Sequence, residues 1–322
     1  MGNFNLIGFL TAAVLAGTPL LFGVLGEILT EKSGNLNLGV EGMMFMGALG
    51  GLAGSYFYEQ AGGTSTLLST GIALLCAFAC AAFGALIYSV LTITLRANQN
   101  VTGLALTIFG TGFANFFGEA IGNAAPSRYM AVGEVTKPAF NTGIPGGGAF
   151  FGSLNFMVYL GILIAIFLAW FLGKSRKGLN LRSVGESPAT ADAAGINVTA
   201  YKYLATVIGG GITGLGGLYI AMNAASGVGG TWIHNCVSGK GWIAVALVIF
   251  ATWSPARALI GSLVFGALSI MRHYIPLGIP AQIYEIFPYI ATVIVLVAVS
   301  IRQKRENQPP NSLGIAYFRE ER

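Results

Sequence analysis

Charge is what this chain has least of: Asp, Glu, Lys and Arg together make up 9% of its 322 residues, against about 25% in ordinary soluble domains. So few ions cannot build a water-facing surface, which excludes a soluble enzyme. The net charge of +5 then reads as membrane orientation rather than nucleic-acid binding. Cysteine is scarce too. Cys76, Cys80 and Cys236 include no CxxC pair and no neighbouring histidine, so neither a disulfide framework nor a metal site is indicated. His234 and His273 stand far apart, and no GxxxxGK[ST] phosphate loop occurs. No nucleophile-base pair or paired carboxylates appear at the spacing that a membrane-embedded enzyme would need.

Apolar residues, by contrast, are 54% of the chain. They fall in runs of about twenty, long enough to cross a hydrocarbon core roughly 30 Å thick as helices. The fold class is therefore all-α and polytopic, with about nine spans near 5–26, 38–57, 66–94, 101–118, 154–173, 201–222, 241–255, 258–275 and 284–301. The N-terminal stretch lacks a charged n-region and a cleavage site, and reads as a retained first span. Residues 1–301 form the transmembrane domain and 302–322 a tail.

Lys174, Arg176, Lys177 and Arg182 follow the fifth span, and Arg302, Lys304 and Arg305 follow the ninth. Four spans separate the two clusters, so both lie on one side, cytoplasmic by the positive-inside rule. The same alternation leaves only Arg128, Lys137, Lys240 and Arg272 outside.

Glycine is plentiful, at 47 residues, and concentrates in "GALGGLAG" (47–54) and "GGGITGLGG" (209–217). Two readings stand: tight packing of transmembrane backbones, or breaks in helices placed around a ligand. Two connections exceed a turn. Residues 119–153, outside, carry Pro126, Pro138, Pro145 and the run Gly146 to Gly148, which suits an ordered loop or a short surface helix. Residues 174–200, inside, offer Ser187-Pro188 as a helix start and Gly195 as a stop, predicting a short helix from Pro188 to Ala194.

Polar residues interrupt the apolar pattern at "EKSGNLNLGVEGMM" (31–44). In helical geometry Gly34, Asn37 and Glu41 share a face continued by Met44, Phe45 and Ala48. That stripe suits a path for a polar ligand, with an unwound segment at Asn35 to Leu38. The plainer reading has Asn35 capping the second span and Glu41 paired with Lys32 or Arg96. Asn98, Gln99, Asn100, Thr102, Thr107, Asn115 and Asn223 are further polar groups in or beside spans. Each serves as an interhelical hydrogen-bond partner or, as a set, they line a midplane cavity. Phe45, Phe109, Phe113, Trp242 and Trp253 either stack on a planar ligand or pack in the core.

The stretch 31–44, with "ANQNVTGLALTIFGTG" (97–112), "LNLRSVGESPATADAAGINV" (179–198) and "GKGWIAVALVIFATWSPARALIGSLVFG" (239–266), resembles permease subunits of bacterial ABC importers in the branched-chain amino acid, ribose and nucleoside group. The likeness is nearest to the shorter permease of nucleoside importers that use basic-membrane-protein-type binding lipoproteins; Thr107 and Phe109 depart from the family pattern. The resemblance implies two halves of inverted topology with broken helices. It implies a substrate pathway at Asn35, Asn37, Glu41, Phe45, Asn98, Gln99 and Asn223. It also implies a helix that couples to the ATPase, carried by Glu186, Ser187, Pro188, Ala189, Asp192, Ala194 and Gly195. The partners implied are an ABC ATPase, a second permease and an external lipoprotein at the bacterial inner membrane. ATP and Mg would be used by the ATPase, with no cofactor on this chain. On this reading Ala191→Arg or Gly195→Asp abolishes transport and spares insertion. Sugars or branched-chain amino acids are alternative substrates. An ion-coupled transporter is disfavoured because Glu27, Glu41, Glu119 and Arg257 fall near predicted span ends.

Overall fold

The computed structural model describes residues 5–124, 137–138, 147–227, 232–274, 280–302 and 308–318. Within them the chain is helical, with no strand. Helix α1 (Leu6–Glu31) starts where Asn5 Oδ1 accepts from Gly8 N at 3.0 Å. It is followed by α2 (Val40–Gln60) and by α3 (Thr66–Ser89), which ends in a π turn over Val90–Thr94. Next come α4 (Gln99–Ala124), the short α5 (Gly147–Ser153) and α6 (Phe156–Lys174). Helices α7 (Arg176–Glu186) and α8 (Pro188–Ala193) lead into the long α9 (Val198–Gly227). The last three are α10 (Lys240–Phe250), α11 (Pro255–Tyr274) and α12 (Ala281–Arg302).

Six of these (α1, α3, α4, α6, α9 and α11) are long and apolar enough to cross a membrane. At 1.5 Å per residue the 21 residues of α2 and the 22 of α12 also have the length of a span. The seventh expected span, 241–255, does not form as one crossing. Its helix α10 has 11 residues, about 16 Å, or half a hydrocarbon core. Residues Leu67, Leu75, Ile108, Phe116, Leu163 and Ile166 project outward uncovered, as lipid tails require and water would not tolerate.

Helix α9 is the central element and packs on α1, α2 and α3. Glycine makes that packing possible. A methyl group at Gly47 would overlap the Gly214 backbone, and one at Gly26 the Gly209 carbonyl. Along these seams the glycines act as close-packing residues. The connection 174–200 folds into α7 and α8, as the Ser-Pro start and Gly195 stop predict; Gly195 has φ +81°. Of the connection 119–153, α4 runs on to Ala124 and α5 precedes the sixth helix, while Pro126, Pro145 and Gly146 lie outside the described residues.

Residues 308–318 cross the face of the protein that carries α7, α8 and the α1–α2 linker. Ser312 N donates to Gly185 O at 3.0 Å and Gly314 N to Gly34 O at 3.2 Å. Tyr317 Oη donates to Asp192 Oδ2 at 2.8 Å, and Arg96 lies 4.5 Å over the Phe318 ring. The tail therefore ties the linker, the α7–α8 elbow and the α3–α4 turn to one strap across this linker face.

Candidate functional site: two unwound segments joined by Glu41

Helix α1 ends at a left-handed glycine, Gly34 at φ +87°, and the backbone from Asn35 to Asn37 is not helical. An unwound stretch inside a membrane protein must find partners for its N–H and C=O groups within the protein. Here side chains from three helices, α1, α3 and α4, supply several of them. Gln99 Oε1 accepts from Leu36 N at 2.7 Å, the Tyr88 hydroxyl donates to Leu36 O, and Thr107 Oγ1 donates to Leu38 O at 3.0 Å. Glu27 Oε1 accepts from Asn37 N at 3.1 Å and its Oε2 from Asn37 Nδ2 at 3.3 Å. Asn37 Oδ1 in turn accepts from Gly39 N at 2.9 Å, and Asn35 Nδ2 donates to Thr206 Oγ1 at 3.0 Å.

This geometry corrects the sequence reading of a helical face shared by Gly34, Asn37 and Glu41, because the left-handed glycine interrupts the helix before Asn37. Asn35 is not the cap of α2 either; that position is Gly39. Asn35 and Asn37 are each 1% exposed, so in this conformation they brace the linker.

Glu41 lies in the first turn of α2 and pairs with neither Lys32 nor Arg96. Its Oε1 accepts from Gly239 N at 2.7 Å and its Oε2 from Gly241 N at 2.6 Å. A carboxylate at a helix N-terminus meets unpaired N–H donors and the positive end of the dipole. The N-terminus of α10 is thus fixed inside the protein, 200 residues away in sequence. Gly241 has no room for a side chain, since a Cβ there would strike the Glu41 backbone. At the other end of α10, Trp253 Nε1 donates to Glu31 Oε2. Glu27 and Glu31 are 1% and 3% exposed, so Glu27 lies near the end of α1, as the sequence suggested, and is buried there.

The stretch 232–239 is the second unwound segment, and it runs along α4 before α10 begins. Trp232 packs on Gly118 and Gly122. His234 Nδ1 meets Glu119 Oε1 at 2.5 Å. Asn115 Nδ2 donates to Asn235 Oδ1 at 2.9 Å, and Asn235 N donates to Asn115 Oδ1 at 3.0 Å. With α10 it makes one broken span: an irregular half and a helical half. Lys240, assigned to the outer surface from sequence, sits at the junction and is half-buried. Of five non-glycine residues with positive φ among the described residues, four flank α10: Asn235, Ser238, Thr252 and Trp253. Such backbone costs about 1–3 kcal/mol per residue and concentrates at functional sites.

The other predicted residues separate. Phe45, 2% exposed, is core. Asn98 is exposed and caps α4 by accepting from Val101 N at 3.1 Å, while Gln99 holds the linker. Asn223 lines a cavity of about 430 Å³ between α1, α9, α10 and α11 with Tyr219, Cys236, Lys240 and Ser269, and so adjoins the second unwound segment. Phe109 and Phe113 stack at 5.7 Å on α4, with Phe109 and Trp242 exposed. Sequence reasoning missed the Asn115–Asn235 pair and the Glu41–α10 cap; the signal for the second was the glycines at 239 and 241 flanking Lys240.

In segment 186–195, expected from sequence to couple to an ATPase, Ser187 Oγ accepts from Thr190 N at 3.4 Å with Pro188 at the first helical position. Glu186, Ala194 and Gly195 are exposed, and Ser187, Pro188, Ala189 and Asp192 half-buried. Ala191, however, is 3% exposed and packs with Val184 and Val198. An arginine there would break the packing, so Ala191→Arg cannot report on docking alone.

A family model described as branched-chain amino acid transport system / permease component matches residues 9–296. Among characterised relatives, the guanosine ABC transporter permease NupQ of Bacillus subtilis is 33% identical, over 97% of this chain and 96% of that one. The nucleoside ABC transporter permease NupC of Lactococcus lactis is 31% identical, over 92% of this chain and 93% of that one. The ABC transporter permease TsgC13 of Haloferax volcanii, whose name assigns it provisionally to glucose, is 35% identical, over 97% of this chain and 98% of that one. With a broken span, glycine-seamed helices and a match that runs nearly end to end, this chain belongs to the branched-chain amino acid transport system permease component family of ABC transporters.

Proposed function

We propose that the chain is the membrane half-channel of a nucleoside importer in the bacterial cytoplasmic membrane, driven by ATP hydrolysis on a partner ATPase. A second permease completes the channel and an external lipoprotein delivers substrate. The linker face is cytoplasmic on this reading, with the tail inside, and residues 186–195 are the surface that the ATPase grips. ATP and Mg belong to that partner; the sequence here has no phosphate loop.

The observation that carries the reading is the broken span. Asn235 and Ser238 are exposed on it, as are His234 and Glu119 at 61% and 54%. Polar groups at membrane depth do not face lipid tails. A wet path shared with a second subunit accounts for them, and exposed Phe109 and Trp242 supply flat surfaces for a base. The two relatives named for guanosine and nucleosides support the substrate class.

The test is uptake of labelled guanosine by cells lacking their own nucleoside importers and expressing the full system. Saturable, ATP-dependent uptake that unlabelled nucleosides suppress and glucose does not is the expected result. Suppression by glucose alone would move the assignment to sugars, as TsgC13 suggests. Uptake by this chain alone under an ion gradient would replace the ABC reading with a secondary transporter.

A further inference from the structure

A cavity of about 540 Å³ opens on the linker face between the π turn of α3, the start of α4 and the start of α9. Thr92, Arg96, Gln99, Asn197, Lys202 and Tyr317 contribute to its wall. Lys202 is the anomaly. It is 3% exposed, yet no described residue pairs with it by hydrogen bond or ion pair. Its ammonium opens onto the cavity with no carboxylate within ion-pair distance among the described residues, so an anion held there would supply the missing counter-charge.

Everything else in the wall suits the same guest. Two long helices begin there, α4 at Gln99 and α9 at Val198, so two sets of terminal N–H groups and two positive dipole ends converge. Asn98 and Asn197 cap only one N–H each, those of Val101 and Ala200. Gln99 accepts from Leu36 N through Oε1, which leaves Nε2 without a partner among the described residues. Arg96 adds a second cation, held over the Phe318 ring. The one carboxylate in the wall, Asp192, is engaged by the Tyr317 hydroxyl at 2.8 Å.

We infer that this cavity is a binding site for a phosphate-bearing anion, with Lys202 as its central ligand and Arg96 as its lip. The phosphate comes either from a soluble phosphorylated metabolite or from an anionic phospholipid headgroup of the adjacent leaflet. Tyr317 and Ala316 of the tail form part of the wall, and Tyr317 holds Asp192 of segment 186–195. An occupant therefore locks the strap to α8. The proposal is independent of the transported substrate and is read by binding alone.

The experiment is thermal unfolding of the purified full chain in neutral detergent at constant ionic strength. The probes are inorganic phosphate, dihexanoylphosphatidylglycerol and, as a zwitterionic control, dihexanoylphosphatidylcholine. Wild type gains Tm with phosphate or with the glycerol lipid, and not with the choline lipid. Lys202→Met, which keeps the bulk and removes the buried charge, unfolds at higher temperature than wild type without anion and no longer responds to it. Arg96→Gln, at an exposed turn, preserves the fold and shifts half-saturation to concentrations about tenfold higher, equivalent to about 1.4 kcal/mol. Response to the glycerol lipid alone identifies a headgroup site, and response to both anions a soluble phosphate site. No response to either anion, or equal responses in wild type and Lys202→Met, overturns the proposal. So does carbodiimide cross-linking of Lys202 to a partner ATPase in the assembled importer when neither anion binds.

Discussion

The two unwound segments are built from the same ingredients and end differently. Linker 32–39 is braced from within: its asparagines are 1% exposed, and side chains of three helices answer its backbone. Segment 232–239 is held by Glu41, Asn115 and Glu119, with Trp232, Cys236 and Val237 buried, and leaves His234, Asn235 and Ser238 exposed. A broken stretch whose polar groups are all satisfied internally is a joint. One that keeps donors and acceptors on its surface has chemistry left over for something outside the chain. Glu41 belongs to both, which makes it the mechanical connection between joint and surface.

That contrast can be broken experimentally, and the largest effect is expected at the shared residue. Glu41→Ala leaves two N–H donors at the start of α10 unmet and should cost about 3 kcal/mol or more, with transport lost together with stability in a thermal-unfolding assay. Next, Ala191→Arg forces a charge into the Val184–Val198 contact and should destabilise by about 2–4 kcal/mol. Ala194→Arg, on the exposed flank of the same segment, should change stability by less than about 0.5 kcal/mol, yet abolish substrate-stimulated ATPase activity in the reconstituted importer. Equal behaviour of these two variants would remove the distinction between a packed and a docking side of α8. Asn37→Ala should cost about 1–3 kcal/mol and leave apparent substrate affinity unchanged in whatever folds. Asn235→Ala should do the reverse: a loss near 1 kcal/mol, with apparent affinity for nucleoside weakened by about tenfold. If Asn37→Ala shifts affinity and Asn235→Ala does not, the joint and the surface have been assigned the wrong way round.

What could be read from the residues follows the range over which each interaction acts. Ser187, Pro188 and Gly195 encode α8 within nine positions, so its start and stop were legible. Apolar runs located most spans for the same reason. The half-length of α10 was hidden because the residues after it, Ala251 to Trp253, include no charge, proline or glycine, and hydropathy does not register a tight turn. The partner of Glu41 was half legible: the glycines at 239 and 241 mark a close backbone approach, but nothing beside Glu41 distinguishes a carboxylate that will cap a helix 200 residues later from one that meets a lysine. Gly34 was the informative residue in the linker. Treating 34–41 as continuous helix put Asn37 and Glu41 on one face, and a glycine followed by two asparagines in three positions was the sign that the helix stops. For the candidate site, then, the sequence marked the segments and left their partners to the tertiary fold.

Where backbones touch directly, there is no layer of side chains to slide over. Gly17 lies against Ser262 and Gly266 against Ala13, just as Gly47 meets Gly214 and Gly26 meets Gly209. Helices α1, α2, α9 and α11 are in this sense a single keel, and shearing any of them past its neighbour would drive a β-carbon or a carbonyl through a main chain. Whatever rocking the molecule performs must be carried by pieces less tightly seamed to that keel, and the half-span α10, which touches it backbone to backbone at Gly241 and is pinned by Glu41 at that end and Glu31 at the other, is the piece that could swing about its first turn once the far pin is drawn.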